Sequence, residues 1–341
     1  MPEADSKRNA GLPDAPIAIG EATVLAPGSC GELVQGTIDG IHFHISCPVD
    51  LFSRVAVSLA SSGSLSGPPE CPKAIEALRA ALSRNGNNSW GGRLRVESPI
   101  PRSKGMASST ADILGAVAAA GLATGDANGP EDMARVALSI EPSDGTIFPG
   151  VVLFDHREGR LLKPLGAPPP LDIVALDFGG QVDTVDFNRA DRSAILRSLE
   201  RRTVEAAALV EAGIRQGDPA LIGEGATLSA LSHQAVLPKE CLNRVVAVSR
   251  EAGAVGVCVA HSGTVVGVMV DPRKGSRQEM ARFLQARLPG ISHLFLLSLI
   301  GGGYRNHKEE KDVTVSPGNQ AGQASGQTGH GPDPCPPGQP H

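Results

Sequence analysis

The stretch PRSKGMASST, at positions 101–110, constrains the possible folds of this chain more than any other part of its sequence. It follows RLRVESP, which has the residue pattern of a β-strand, and it leads directly into SSTADILGAVAAAG, whose apolar spacing predicts an α-helix. Pro101 blocks continuation of the strand. The sequence therefore predicts a tight turn that opens a helix, with unpaired backbone N–H groups at the helix N-terminus.

This predicted turn has the chemistry of an anion-binding site, because exposed N–H groups and the helix dipole both favour phosphate. The small residues that let a ligand approach the backbone are Gly105, Ala107, Ser108 and Ser109. Serine hydroxyls are potential Mg²⁺ ligands, and Lys104 can offset the charge of a phosphate. An ordinary helix, capped by Ser108 and stopped at a glycine, accounts for the same residues equally well. The stretch lacks GxxxxGK[ST] and GxGxxG, which disfavours a Walker loop and a Rossmann dinucleotide site.

Strand and helix patterns divide the rest of the chain into an α+β protein of two lobes. Strand patterns prevail before position 100, helical patterns follow, and AVGVCVA and TVVGVMVD flank HSG as a predicted β-hairpin. We predict a flexible leader at 1–19, an N-terminal lobe at 20–165, a C-terminal lobe at 166–311 and a disordered tail at 312–341.

Charge and hydropathy exclude several classes of partner. The 31 basic and 36 acidic residues give a net charge of −5 without a basic cluster, so nucleic acid is not expected as a partner. No apolar run is long enough to span a bilayer, and the first residues lack the pattern of a secretory signal. We therefore expect a cytoplasmic protein with no membrane partner. The sequence leaves the oligomeric state open, and a homodimer is among the options.

Cysteine and histidine spacing gives no sign of a transition-metal site. The six cysteines are scattered without a CxxC pair, which favours reduced thiols over a disulfide framework or a zinc site. His42 and His44 alternate on one strand face, but no Cys, Asp or Glu stands at metal-ligand spacing from them. We therefore expect no zinc site at this pair.

Three motifs resemble those of the GHMP kinases, the superfamily of galactokinase, homoserine kinase, mevalonate kinase and phosphomevalonate kinase. PRSKGMASSTA is similar to their phosphate-binding motif, P-x-x-x-G-[LM]-[GA]-S-S-[AT]-[AG]. APGSCGELVQG, at 26–36, resembles their substrate-site turn, and GVCVAHSGTVVGVMVD, at 256–271, resembles a glycine hairpin that closes on the active centre. The resemblance implies a two-lobed kinase that uses ATP and Mg²⁺. Its N-terminal lobe would be like domain 2 of ribosomal protein S5, and its C-terminal lobe would be ferredoxin-like.

Six segments narrow the resemblance to the branch of this superfamily that phosphorylates free L-threonine. They are GSCGELVQG, ISCPVD, KGMASSTAD, IEPSDGTIF, LFDHREG and the third motif, and the likeness runs from position 21 to 300. It implies L-threonine and ATP as substrates, and a role in making the aminopropanol linker of cobalamin. A kinase of homoserine or another small alcohol, or a non-catalytic nucleotide-binding protein of the same fold, remains an alternative.

The same match implies roles for residues after the first helix. Ser108 or Ser109 would hold Mg²⁺ together with Glu141, and Asp144 would orient or deprotonate the threonine hydroxyl. Ser109 and Asp144 are therefore the predicted catalytic residues. Glu141 and Asp144 are three positions apart, so both face one pocket if the turn between them is helical. A helix-end charge and a turn-forming aspartate before Gly145 account for the same residues.

The predicted ligand contacts fall into two sets. The ATP-binding residues are Pro101, Lys104, Gly105, Met106, Ala107, Ser108, Ser109 and Thr110. Threonine carries an ammonium and a carboxylate, and burying either without a partner is costly, so both need recognition. Glu32 is the candidate for the ammonium. The other substrate candidates are Gly31, Gln35, Ser46, Asp183, Asn188, His261, Ser262 and Gly263. No general-base role is assigned to His261, and a solvated loop residue is the competing interpretation of Asp183 and Asn188.

Overall fold

In the computed structural model, which describes residues 17–180 and 191–307, a sheet of eleven strands runs through the molecule. The strands are β1 (Ala18–Ile38), β2 (Ile41–Ala60), β3 (Leu65–Ser66), β4 (Gly91–Glu97), β5 (Val151–Phe154), β6 (Leu162–Gly166), β7 (Asp172–Asp177), β8 (Gly256–Val259), β9 (Val265–Val270), β10 (His293–Ser298) and β11 (Arg305–Asn306). The α-helices of the described part are α1 (Pro72–Arg84), α2 (Ser108–Thr124), α3 (Pro130–Ile140), α4 (Ser193–Gln216), α5 (Pro219–His233), α6 (Leu242–Glu251) and α7 (Arg277–Arg287). The predicted α+β architecture is confirmed.

The strands β1 and β2 form a long hairpin in the middle of the sheet. Asp39 and Gly40 form its two-residue turn, and both have positive φ, 51° and 74°, as a type I′ turn requires. The main path of the sheet runs β10-β7-β9-β8-β1-β2-β4-β3. The two lobes meet at β1, which pairs with β2 over most of its length and with β8 through Glu32 and Val259. Glu32 thus lies at the junction of the two lobes.

Two hydrophobic clusters hold the lobes together. The larger one packs α1, α2 and α3 against β1, β2 and β4, and the smaller one packs α6 and α7 against β7 to β10. None of the described helices is long and apolar enough to cross a membrane. The segment 299–307, predicted as part of the C-terminal lobe, lies against N-terminal strands through bridges such as Val49 with Leu299. The division of the chain into lobes at position 165 stays a prediction.

The ends of the chain lie mostly outside the described residues. This applies to the predicted tail and to most of the predicted leader. The strand β1 begins at Ala18, inside the predicted 1–19 leader, because Ala18 and Gly20 pair with Ala60 and Leu59 of β2. The ordered sheet therefore begins two residues earlier than the sequence indicated.

Helix α2 follows the turn at 101–110 as predicted, but the residues that cap its two ends differ from the prediction. Its N-cap is Ala107, in the left-handed conformation with φ 57° and no side-chain cap, so the prediction of Ser108 as the cap was wrong. The helix passes Gly121 and ends at Gly125, whose φ of 74° closes the last turn. Most of its 17 residues are buried. Since Ala107 takes the cap position, the hydroxyls that follow it remain available for other contacts.

The loops of all three motifs meet at the N-terminus of α2. The Ser29 N–H donates to the Met106 carbonyl oxygen at 3.0 Å, which joins the first motif to the second. A Cβ placed on Gly263 would lie 2.1 Å from the Lys104 carbonyl oxygen, and one on Gly105 would lie 2.3 Å from the Ala260 Cβ. The confirmed β8–β9 hairpin therefore packs directly on the turn at 101–110.

Replacement of Gly263 by alanine tests this close contact. A methyl group there collides with backbone atoms of Lys104 and Gly105, which cannot rotate away as a side chain can. We expect Gly263→Ala to lower the free energy of unfolding by about 2 kcal/mol in urea denaturation. Gly275→Ala is the control, because its Cβ would lie 3.6 Å from the nearest atom, in Val270. Equal unfolding midpoints for the two variants would show that the loops are not in close contact.

Candidate active site

A cavity of about 380 Å³ opens beside the N-terminus of α2. The predicted site residues that line it are Glu32, Gly105, Met106, Ala107, Ser108, Ser109, Thr110, Glu141, Asp144, His261 and Ser262. They come from the strand β1, the turn at 101–110, the segment after α3 and the β8–β9 hairpin. The structure thus brings residues from all three motifs to one cavity.

Other predicted residues lie behind the cavity wall. The Gln35 Oε1 accepts from His261 Nδ1 at 2.7 Å, and Gln35 Nε2 donates to the Val259 carbonyl oxygen at 3.3 Å. Lys104 points away, since its ammonium pairs with Asp177 at 2.9 Å. The predicted residues outside the wall are Pro101, Lys104, Gly31, Gln35, Ser46 and Gly263. Asp183 and Asn188 lie outside the described residues.

The start of α2 provides an anion-binding end to the cavity. The first intrahelical bond of this turn runs from the Ala111 N–H to the Ala107 carbonyl oxygen at 2.9 Å. The N–H groups of the preceding helical residues, Ser108 to Thr110, have no acceptor one turn earlier in the helix. Together with the helix dipole, these donors favour a negatively charged ligand such as phosphate.

Glu141 lies next to this helix end with two partners. The Ser109 hydroxyl donates to its carboxylate, and the Lys73 ammonium forms an ion pair with it. A serine hydroxyl and a glutamate carboxylate in contact form an oxygen-only ligand set, which is the type that Mg²⁺ prefers. Ser109 and Glu141 therefore fit the magnesium ion that the sequence resemblance implies.

The segment between Glu141 and Asp144 is extended, so the helical turn that was the condition for a shared face is not formed. Glu141 has φ −161° and ψ 162°, and Asp144 has φ −75° and ψ 155°. The reason is Pro142, because a residue before proline is pushed out of the helical region. Both carboxylates nevertheless line the cavity. They do so at different depths, because Asp144 reaches the buried end near Glu32.

A pair of buried acids, Glu32 and Asp144, forms that inner end. Burial raises the pKa of Glu32 well above its usual value, and the negative charge of Asp144 raises it further. Burial also raises the pKa of Asp144. The Thr110 hydroxyl donates to Asp144 Oδ2 at 3.4 Å and accepts from the Asp144 N–H at 3.3 Å, which ties this acid to the first turn of α2.

A cluster of histidines lies beside the acid pair, and of its members only His261 was predicted from the sequence. The His44 and His156 rings stack at 3.7 Å, and the His261 ring lies 4.4 Å from His44. Burial lowers the pKa of His44 to about 3 and those of His156 and His261 well below their usual value. All three rings are therefore neutral at pH 7.

The expectation of no zinc site at His42 and His44 was based only on residues near them in the sequence. Folding supplies distant partners for His44, in two groups: His44 with His156 and His261, and His44 with Glu32 and Asp144. A metal ion lies in the plane of each imidazole that binds it. The stacked rings of His44 and His156 are inclined by only 9°, so one ion cannot lie in both planes. The histidine triad as it stands is therefore not a chelating site.

Two basic residues of the cavity wall were also missed. Lys73, at the start of α1, pairs with Glu141. Arg102 donates to the Glu70 carbonyl oxygen at 3.0 Å and pairs with Asp112 at 3.4 Å. The sequence signal for Arg102 was its place in the turn at 101–110, whereas nothing in the local pattern of α1 singles out Lys73. Both place positive charge at the α2 end of the cavity.

Comparison with known proteins agrees with the three motifs. The family model for the GHMP kinases N terminal domain matches residues 72–148, and the model for the GHMP kinases C terminal domain matches residues 208–290. The L-threonine kinase of Salmonella typhimurium is 36% identical over 263 residues, which cover 76% of this chain and 86% of that protein.

Solved structures of low sequence identity share the fold. Homoserine kinase from Cytophaga hutchinsonii is 16% identical, with a TM-score of 0.62 over 84% of this chain and 97% of its own. MDDEF in complex with MVAPP, AMPPCP and magnesium is 15% identical, with a TM-score of 0.64 over 85% of this chain and 99% of its own. With its two lobes, its three motifs and its curated relative in agreement, the chain belongs to the GHMP kinase family of small-molecule kinases.

Proposed function

We propose that this protein transfers the γ-phosphoryl group of ATP to the hydroxyl of free L-threonine, giving O-phospho-L-threonine and ADP. One observation carries the proposal: an anion-binding helix end and a buried acid pair open onto the same cavity of about 380 Å³. The identity of 36% to an L-threonine kinase, over most of both chains, supports the choice of alcohol. The sequence resemblance extends the proposal to the aminopropanol linker of cobalamin and to a cytoplasmic protein.

The α2 end of the cavity receives the polyphosphate. The N–H groups of the first turn donate to phosphate oxygens, and the small residues of the turn let those oxygens approach the backbone. Ser109 and Glu141 hold Mg²⁺, which when bound neutralises charge on the phosphates. Lys73, already in contact with Glu141, adds positive charge at the same place. Phosphoryl transfer depends mainly on such positioning and charge neutralisation.

The inner end of the cavity receives the amino acid. Thr110, in the first turn of α2, holds the Asp144 carboxylate beside that turn. Asp144 is therefore close to the bound phosphate. Asp144 accepts a hydrogen bond from the threonine hydroxyl, which orients the attacking oxygen, and it is the nearest acceptor for the hydroxyl proton. Glu32 binds the ammonium. His261 and Ser262 line the same wall and face the rest of the substrate.

A panel of alcohols tests the substrate. Purified protein with Mg²⁺ and ATP is given L-threonine, L-serine, L-homoserine or mevalonate, and ADP release and phosphorylated product are measured. We expect kcat/KM for L-threonine to exceed that for L-homoserine by about ten-fold or more. Faster turnover of homoserine would overturn the choice of substrate. No ADP release above background with any alcohol would overturn the proposed kinase activity.

Asp144→Asn tests the acid that faces the hydroxyl. The amide keeps the shape of the side chain but accepts a proton poorly, so we expect kcat to fall by about 100-fold or more. KM for ATP should change little, because the nucleotide binds at the other end of the cavity. Asp126→Asn, an exposed change after α2, is the matched control. Equal kcat values for the two variants would remove Asp144 from the mechanism.

Ser109→Ala tests the magnesium site. Loss of the hydroxyl that contacts Glu141 removes one oxygen ligand, so half-maximal activity should require about ten-fold more Mg²⁺. Titration of Mg²⁺ at fixed ATP measures the shift. Ser83→Ala, an exposed change on α1, controls for the loss of a hydroxyl. An unchanged magnesium requirement in Ser109→Ala would show that another residue holds the metal.

A further inference from the structure

We propose that His44 determines substrate specificity: its Nδ1 atom and the carboxylates of Glu32 and Asp144 form a three-acceptor site for the α-ammonium of the substrate. The enzyme would then select alcohols that carry a free amino group on the neighbouring carbon. This inference rests on the proposed function, which it deepens by defining the substrate class. His44 is neither part of the three motifs nor one of the residues predicted from the sequence.

The geometry places three potential acceptors next to one another at the inner end of the cavity. His44 Nδ1 lies 3.7 Å from Glu32 Oε1 and 3.5 Å from Asp144 Oδ1. These distances are too long for hydrogen bonds. Ligand atoms of all three residues lie within 4.8 Å of one another. An ammonium nitrogen about 2.8 Å from three acceptors holds them about 4.6 Å apart, so the site needs to widen by only about 1 Å.

The charge at this point is missing a positive partner. The lysine and arginine among the described residues of the cavity wall each pair with a different acid: Lys73 with Glu141 and Arg102 with Asp112. Lys104, outside the wall, pairs with Asp177. Among the described ion pairs, neither Glu32 nor Asp144 has a lysine or arginine partner. Burial without such a partner raises the pKa of both acids, and their charged forms are costly until a cation binds. A substrate ammonium supplies the charge that the protein itself leaves out.

His44 is suited to accept a hydrogen bond from the substrate ammonium, because a neutral imidazole does not compete with it as a cation. Its side chain is 4% exposed, and neither ring nitrogen has a hydrogen-bond partner among the residues that the structure describes. A neutral imidazole has one unprotonated nitrogen. An ammonium has only donors, so its binding selects the tautomer with the proton on Nε2 and the acceptor at Nδ1. The His156 ring stacked at 3.7 Å fixes the plane in which that acceptor points.

Asp144 connects the ammonium to the hydroxyl. Its Oδ1 faces His44, whereas its Oδ2 faces the Thr110 hydroxyl at the first turn of α2. A substrate with amino and hydroxyl groups on adjacent carbons can place one on each oxygen. Homoserine has one more carbon between the two groups and cannot span them in the same way. The pair of contacts therefore selects 1,2-amino alcohols.

The test compares L-threonine with (R)-3-hydroxybutyrate, the same alcohol without the amino group. In His44→Phe, the ring and its stacking remain but the acceptor is lost. We expect KM for L-threonine to rise about 10- to 100-fold, while KM for ATP and the weak turnover of (R)-3-hydroxybutyrate stay unchanged. His44→Asn places an oxygen near the position of Nδ1 and should recover most of the loss. His42→Phe, two residues away on β2 and outside the cavity wall, should resemble wild type.

Thermal unfolding confirms that each variant is folded. An equal loss for both substrates in His44→Phe would show a structural role and overturn the inference. A stoichiometric transition metal in the purified wild type that is absent from His44→Phe would assign the three ligands to a metal and overturn it as well. The proposed function fails separately, if wild type phosphorylates another alcohol faster than L-threonine. If that alcohol is another 1,2-amino alcohol, and His44→Phe abolishes the enzyme's preference for it, the inference would stand.

Discussion

The left-handed backbone at Ala107, with φ 57°, is the constraint on which the site depends. It starts α2 without a side-chain cap from the described residues, and the residues of the first turn line the cavity. A helix end of this kind is stable only where its surroundings hold it in place. Here the Ser29 N–H of the first motif donates to the Met106 carbonyl oxygen, and the β8–β9 hairpin packs on Lys104. Most of α2 is also buried in the larger hydrophobic cluster. The fold thus holds in place the helix end at which we propose that phosphate binds.

The two ends of the cavity carry opposite electrostatic deficits. At the α2 end, the backbone donors and the helix dipole favour negative charge, while Lys73 and Arg102 are paired with Glu141 and Asp112. At the inner end, Glu32 and Asp144 are buried without a basic partner among the described ion pairs. Under the proposed function, a nucleotide phosphate would compensate the first deficit and an amino-acid ammonium the second, with the hydroxyl between them. Charge alone would then orient both substrates.

The parts of this arrangement that are encoded locally could be predicted from the sequence. The turn at 101–110 and the hairpin around Gly263 each follow from spacing and residue type within a few positions, and the structure confirms both elements. The extended backbone at Glu141 also has a local cause, Pro142, so the sequence could have ruled out the helical turn. His44, His156 and Lys73 could not be found in this way, because they reach the cavity from separate elements and only long-range packing brings them together. Gln35 was predicted near the substrate but lies behind His261.

The position of Gln35 shows why the lobe junction and the substrate site cannot be separated. Its Nε2 donates to the Val259 carbonyl oxygen and its backbone N–H donates to the Ser229 hydroxyl, so it ties β1 to both β8 and α5. Because the amide nitrogen is already a donor to Val259, the Oε1 accepts from His261 Nδ1, which leaves Nε2 as the acceptor nitrogen of that neutral ring. Glu32, three positions earlier, forms the pair that joins β1 to β8. Any shift of the two lobes would therefore move the Glu32 carboxylate and the His261 ring, so the proposed recognition of the ammonium requires tight packing at this junction.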